Sequence, residues 1–203
     1  MVMNGLILCL IGGAMADPPV PTPLLLIHPS APDHVAFVVV RDDGSPALLA
    51  PAQALSNDAT MRLTWTGTNK VGLKLKRGQP DAVATACAPG GQPLGSRRVP
   101  QRLDDSSLAL APAEPVPLEH VWVVALGQDG SWLHAATVSH VDGETLRYVF
   151  QQPVPLISAT GAPVIDVLGR LVGVHDQVEP SLEGRVYGAA CTLTATRAAL
   201  GSP

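Results

Sequence analysis

The stretch Ser158-Ala159-Thr160-Gly161-Ala162-Pro163-Val164-Ile165-Asp166, continued through Gly169-Arg170-Leu171-Val172-Gly173-Val174-His175, decides the reading of this 203-residue chain. A hydroxyl, Thr160, is followed by Gly161, which tolerates the positive φ of a tight turn, and Pro163 then stops the loop. Val164 to Asp166 open a strand, Val167-Leu168-Gly169 turn it, and the apolar run Leu171 to Val174 returns, which is a β-hairpin on sequence grounds. A hydroxyl on such a turn has a chemical use: its own N–H and a neighbour's can face a developing oxyanion, as acyl transfer requires. Turn chemistry between two strands produces a similar loop, so the rest of the chain has to supply the partners.

Two earlier stretches stand in line with it. Phe37-Val38-Val39-Val40, the turn Asp42-Asp43-Gly44 and then Ala47-Leu48-Leu49-Ala50-Pro51-Ala52-Gln53-Ala54-Leu55 form a second hairpin, and Ser107-Leu108-Ala109-Leu110-Ala111 is a further strand. Together the three stretches resemble the trypsin-like (chymotrypsin-fold) serine peptidases of bacterial type. That family carries a G-x-S-G-x-P-V nucleophile loop before an L-V-G-V strand, a first hairpin ending L-L-T-A-A-H, and a D-L-A-L-L strand. Thr160 falls on the family's serine, Gln53 on its histidine and Ser107 on its aspartate, while Ser158 replaces the oxyanion-loop glycine. The resemblance implies an all-β protein of two six-stranded antiparallel β-barrels with a short C-terminal helix. It also implies a cleft whose three chemical residues have all been exchanged.

Each exchange has a definite effect. Proton transfer from a hydroxyl needs a base that titrates near the working pH, usually histidine at about 6.5, and a glutamine amide cannot take up that proton. Ser107 carries no charge to stabilise an imidazolium, and the extra methyl of Thr160 stiffens χ1 and crowds attack. Asp105, two residues before Ser107, would face the same side of a strand, yet there is no imidazole at Gln53 for it to orient. Loss of a triad lowers turnover roughly 10⁶-fold, or about 8 kcal/mol of barrier. The expected protein is therefore a catalytically inactive homologue that binds a peptide or protein, with an extended peptide or an envelope protein as partner. Two other readings stay open: an active hydrolase with Thr160 as an atypical nucleophile, and an unrelated all-β envelope protein with a chance loop match.

Composition narrows the partners. The net charge is −4, and with three Trp, two Tyr and two Phe the chain lacks both the basic excess and the stacking aromatics of a nucleic-acid binder. Lys70, Lys74, Lys76 and Arg77 interleave with Val71, Leu73 and Leu75, the pattern of a solvated strand face. Residues 1–16 contain the apolar run Gly5 to Ile11 and end Ala14-Met15-Ala16, the pattern of an export signal without the usual Lys or Arg before it, and too short to span a bilayer. A buried N-terminal segment is the alternative. Export places the protein in the periplasm or outside the cell. There Cys87 and Cys191 are either bridged, closing a loop of about 100 residues, or two buried small hydrophobes. The second is the favoured reading, since nothing in the sequence brings their strands together.

Along the chain, residues 17–33 form a proline-rich extended segment, 34–111 the first barrel, 112–120 the linker with three prolines in Ala111 to Pro117, and 121–203 the second barrel and C-terminal helix. Strands are expected at His34–Arg41, Ala47–Ala50, Met61–Trp65, Val71–Lys76, Ala82–Ala86 and Ser107–Ala111. The second set is Val121–Leu126, Leu133–Val141, Thr145–Phe150, Val164–Asp166, Leu171–His175 and Val186–Thr192, with Asp-Gly turns at 129–130 and 142–143. The one expected helix is Thr194–Leu200, capped by Thr194.

None of the six histidines stands at metal-ligand spacing; His134 and His140 would share a strand face about 20 Å apart, so no metal and no cofactor is expected. His175 reads as a satisfied surface histidine. In the resembling family Asp176, Gln177 and Val178 would lie on the sheet edge that receives a substrate backbone, and Val154 near the floor of the specificity pocket, although Pro153 and Pro155 flank it.

Overall fold

The computed structural model describes residues 17–18, 24–27, 34–56, 62–65, 70–72, 80–87, 91–99, 107–127, 132–152, 156–180 and 184–201. The second half of the chain contains β8 (His120–Val124), β9 (Leu126–Gly127), β10 (Leu133–Asp142), β11 (Thr145–Phe150), β12 (Leu156–Ser158), β13 (Pro163–Ile165), β14 (Leu171–Pro180) and β15 (Val186–Thr192). Six of these close a barrel in the order β10-β11-β15-β14-β13-β8, and β9 pairs with β12. Period-two burial builds it: Leu146, Tyr148 and Phe150 of β11 and His134, Ala136 and Val138 of β10 are all buried, with less buried residues between them. Gly143, at φ 55°, makes the turn between β10 and β11.

The first half carries β1 (Leu24–Ile27), β2 (Phe37–Val40), β3 (Pro46–Pro51), α1 (Ala52–Ser56), β4 (Arg62–Trp65), β5 (Lys70–Gly72), β6 (Ala82–Ala86) and β7 (Pro93–Arg98). Among the described residues these form a four-stranded sheet β2-β3-β7-β6 and a three-stranded sheet β1-β4-β5, where the sequence reading expects a second six-stranded ring. β3 is central in its sheet and buried along its whole length.

Several expectations change at this level. Ser107–Ala111 is not a ladder strand but a spacer with two isolated parallel bridges, Leu108 to Val39 and Leu110 to Leu171, so it stitches one half to the other. Pro93 opens β7, which the rule for proline allows at the first residue of a strand. β1, β7, β12 and α1 were not expected, and of the expected Val71–Lys76 strand the residues beyond Gly72 lie outside the described residues. The C-terminal helix is α2, Leu193–Ala199, and its N-cap is Thr192, not Thr194: the Thr192 hydroxyl accepts from the Ala195 N–H at 3.3 Å. Thr194 instead donates its N–H and hydroxyl to Glu114 Oε1 at 2.7 and 2.9 Å, while Leu193 N–H reaches Glu114 Oε2 at 3.0 Å. A linker carboxylate thus sits on the positive end of the closing helix.

The core has two parts. One, built by Val123, Ala136, Leu146, Tyr148 and Val172 among others, fills the closed barrel; the other, with Phe37, Leu49, Trp122, Ile165 and Leu171, lies between the barrel and the four-stranded sheet. Cys87 and Cys191 are disulfide-bonded across that boundary, with Cα atoms 5.0 Å apart and a sequence separation of 104. The Thr145 hydroxyl, from the barrel, donates to the carbonyl of Cys87. No helix among the described residues is long and apolar enough to cross a membrane.

Candidate functional site

The Thr160 loop sits where the halves meet. Val35 N–H donates to the Thr160 carbonyl at 2.7 Å, and His34 pairs with Thr160 in an isolated parallel bridge. On the other side of the loop, Gly161 N–H donates to the His175 carbonyl at 2.7 Å and His175 N–H to the Ala162 carbonyl at 2.8 Å. Gly161 has φ 89°, and a Cβ placed on it would stand 2.2 Å from the Val35 carbonyl oxygen and 2.6 Å from Pro51 Cδ. The loop is therefore pressed between Val35 ahead of β2, the end of β3 and β14, and only glycine fits both the dihedral and the space.

Gln53 stands in the first turn of α1, directly after β3, and is exposed; Pro51, two residues before it, is the residue packed on Gly161. Ser107 is half-buried and precedes Leu108, whose N–H and carbonyl bond Val38 and Val40 on β2 at 2.8 and 3.0 Å. All three positions thus border the same β2–β3 hairpin. Ser158 ends β12, and Val154 lies outside the described residues.

Two neighbours of Thr160 were misjudged or missed in the sequence. His175 is not a surface residue: it is 1% exposed, because β14 is covered on both faces through Asp176. Its Nδ1 is hydrogen-bonded to the Tyr148 hydroxyl, its Nε2 has no partner in the structure, and burial pulls its pKa down to about 3. It is a neutral core histidine. Tyr148, held in turn far from ionisation by the same burial and by the nearby Asp176, packs edge-on against Phe150 with ring centroids 5.4 Å apart. A Cβ on Gly188 would lie 2.3 Å from the Tyr148 ring, so this glycine makes the ring's room. The run of small residues Gly188-Ala189-Ala190 in an expected strand was the available signal.

Asp176 is buried to 7% exposure, with Oδ1 accepting from Gln92 N–H at 3.0 Å and Oδ2 unpartnered. Burial raises its pKa against the opposing pull of that N–H. Thr160, Gly161, His175, Asp176, Gln92 and Pro51 line a partly open cavity of about 10 Å³, room for roughly one water and no side chain. Beyond His175, whose N–H and carbonyl still bond Ala162 and Gly161, the strand pairings of β14 among the described residues are with β15, from Gln177–Ala189 to Pro180–Val186. Val178 is exposed and Gln177 half-buried, and among the described residues no strand pairs with the other edge of Gln177 to Pro180. His134 and His140 do not share a face: the register slips between Val138 and His140, leaving His134 buried with Nε2 3.0 Å from the Ala125 carbonyl and His140 exposed.

The arrangement of a closed antiparallel barrel, a second β-layer and a nucleophile-type loop at their boundary has solved counterparts. Kallikrein-related peptidase 10, solved in complex with Zn2+, matches with a TM-score of 0.59 at 13% identity, covering 92% of this chain and 96% of that one. The fold is that of the trypsin-like serine peptidases. Rv3671c from M. tuberculosis matches in two inactive forms: a serine-to-alanine mutant with a TM-score of 0.53 at 17% identity, covering 91% of this chain and 95% of that one, and the protease with a TM-score of 0.51 at 16% identity, covering 90% and 98%. No protein-family profile matches the chain, and no curated protein matches it by sequence.

Proposed function

We propose that this chain is an exported homologue of the trypsin-like peptidases that has lost catalysis and binds an extended peptide along the open edge of β14. The observation that carries the reading is Gln53: the position that follows β3 into the cleft holds an amide on an exposed helical turn, where proton transfer needs an imidazole. His175, which shares the small cavity with Thr160, does not substitute for it, because a conjugate acid of pKa about 3 is a poor base at neutral pH and its Nδ1 is committed to Tyr148. The cavity admits no side chain, so affinity would come from backbone hydrogen bonds to the edge at Asp176 to Pro180. Export is supported by the small-residue ending of residues 1–16 and by the disulfide, which persists in oxidising compartments.

Purified protein should not label with a fluorophosphonate and should not turn over unfolded casein; labelling that Thr160→Ala abolishes would overturn the loss of catalysis. Peptides selected from a library should slow backbone hydrogen exchange at 176–180, and selected peptides that bind without protecting this segment would remove β14 as the site. The second reading, an active Thr160, is favoured by one observation: His34 is the bridge partner of Thr160. It predicts casein turnover that His34→Ala eliminates.

A further inference from the structure

The linker makes a strained turn. Glu119 N–H donates to the Val116 carbonyl at 3.1 Å across Pro117 and Leu118, and Leu118 adopts φ 75°, the one positive φ at a non-glycine among the described residues. This is the type II turn, with proline at its favoured place and a leucine where glycine or asparagine belongs. The turn is anchored: Leu118 N–H bonds the Val138 carbonyl at 2.8 Å, Val138 N–H bonds the Glu119 carbonyl at 2.9 Å, and Glu119 Oε2 accepts from Val116 N–H. Yet the Leu118 side chain is 81% exposed and Val116 56%. A large apolar side chain is thus held out to solvent at a position where glycine would relieve the backbone, and nothing within the described fold uses it.

Beside the knob lies a hole. A groove of about 400 Å³ runs along the outer face of β10 and β11, lined by Leu118 itself with Thr137, Val149, Phe150 and Arg185. Thr137 and Val149 are cross-strand neighbours with half-buried side chains at the groove, and Ser139 and Gln151 line it beside them. Arg185, exposed at the groove, and Glu119, exposed on the turn, carry opposite charges. Knob and hole share one face, the requirement for a two-fold contact in which the same patch serves both partners.

We infer that this face is the interface of a symmetric homodimer, with Leu118 of each copy seated in the groove of the other and Glu119 of each copy facing Arg185 across the axis. A second copy is the occupant because one face carries an exposed apolar side chain, an apolar groove beside it and exposed charges of both signs. Sedimentation equilibrium of the full chain at micromolar to 100 µM concentrations should show a monomer–dimer equilibrium. Leu118→Gly removes both knobs while relaxing the turn, so it should raise the dimer Kd on the order of 100-fold without lowering Tm. Glu119→Arg should weaken the dimer and Arg185→Glu in the same chain should restore it. A wild-type monomer throughout that range, or a dimer that survives Leu118→Gly unweakened, would overturn the inference.

Discussion

At the scale of single residues, the best-defined features of the site are its buried polar groups, His175 and Asp176. His175 stays neutral in the folded protein down to pH about 3, whereas the unfolded chain takes up that proton near 6.5. Between those values the unfolded state binds more protons, so this residue makes stability fall as pH drops, by several kcal/mol in all. Asp176 has the opposite sign, because its raised pKa means that the folded protein binds its proton first and is relieved of a buried charge on acidification. Asp176→Asn should therefore stabilise the protein at neutral pH, with the gain vanishing below about pH 3.8; urea denaturation at pH 7 and pH 3.5 checks it. Tyr148→Phe should cost about 1–3 kcal/mol by stripping His175 Nδ1 of its partner. Gly161→Ala should be worse still, since the loop would have to move away from the Val35 carbonyl, and soluble yield and Tm report it. Packing and dihedral alone thus require glycine at 161.

At the scale of elements, the Glu114 carboxylate on α2 replaces a local capping box by a contact from the linker, 79 residues away from Leu193. Glu114→Ala should lower stability by about 1–2 kcal/mol, or a Tm shift of roughly 2–8 °C, and Thr194→Ala by clearly less. Calorimetry of the two variants separates the contributions. This contact also shows why the cap was misplaced in the sequence: Thr194 has the right chemistry for an N-cap, but its hydroxyl serves a partner that no local pattern reveals. The strands of the barrel were legible because Leu146, Tyr148 and Phe150 alternate cleanly, and Thr145–Phe150 and Val186–Thr192 have the expected bounds. β14 runs five residues past the expected end at His175 because pairing with β15 carries it to Pro180. The burial of His175 and Asp176 was not legible, since it depends on Tyr148 from β11 and Gln92 from the other half.

At the scale of the whole molecule, the resemblance carried by three short motifs placed the halves in order, and the spacer at Leu108 and Leu110 shows how they are joined. What spacing could not supply is the tie between Cys87 and Cys191, because their neighbourhood depends on β6 and β15 meeting across the boundary. A loop of about 100 residues closed by one bridge contributes up to roughly 4.7 kcal/mol in the chain-entropy view. Cys87→Ser with Cys191→Ser should therefore lower the denaturation midpoint markedly, and unchanged midpoints in oxidising and reducing buffer would show that the bridge is idle.

The barrel closes through β15, which follows every other strand in the chain and inserts between β11 and β14. Until Val186 to Thr192 have been made, both of those strands present raw edges, and the Tyr148 ring has no Gly188 beneath it. Maturation of this half is consequently a late, non-local event, slow by topology and exposed to wrong pairing while it waits. A chain that travels unfolded across a membrane before its final strand docks would turn that delay to use, since nothing can lock shut before the last segment arrives.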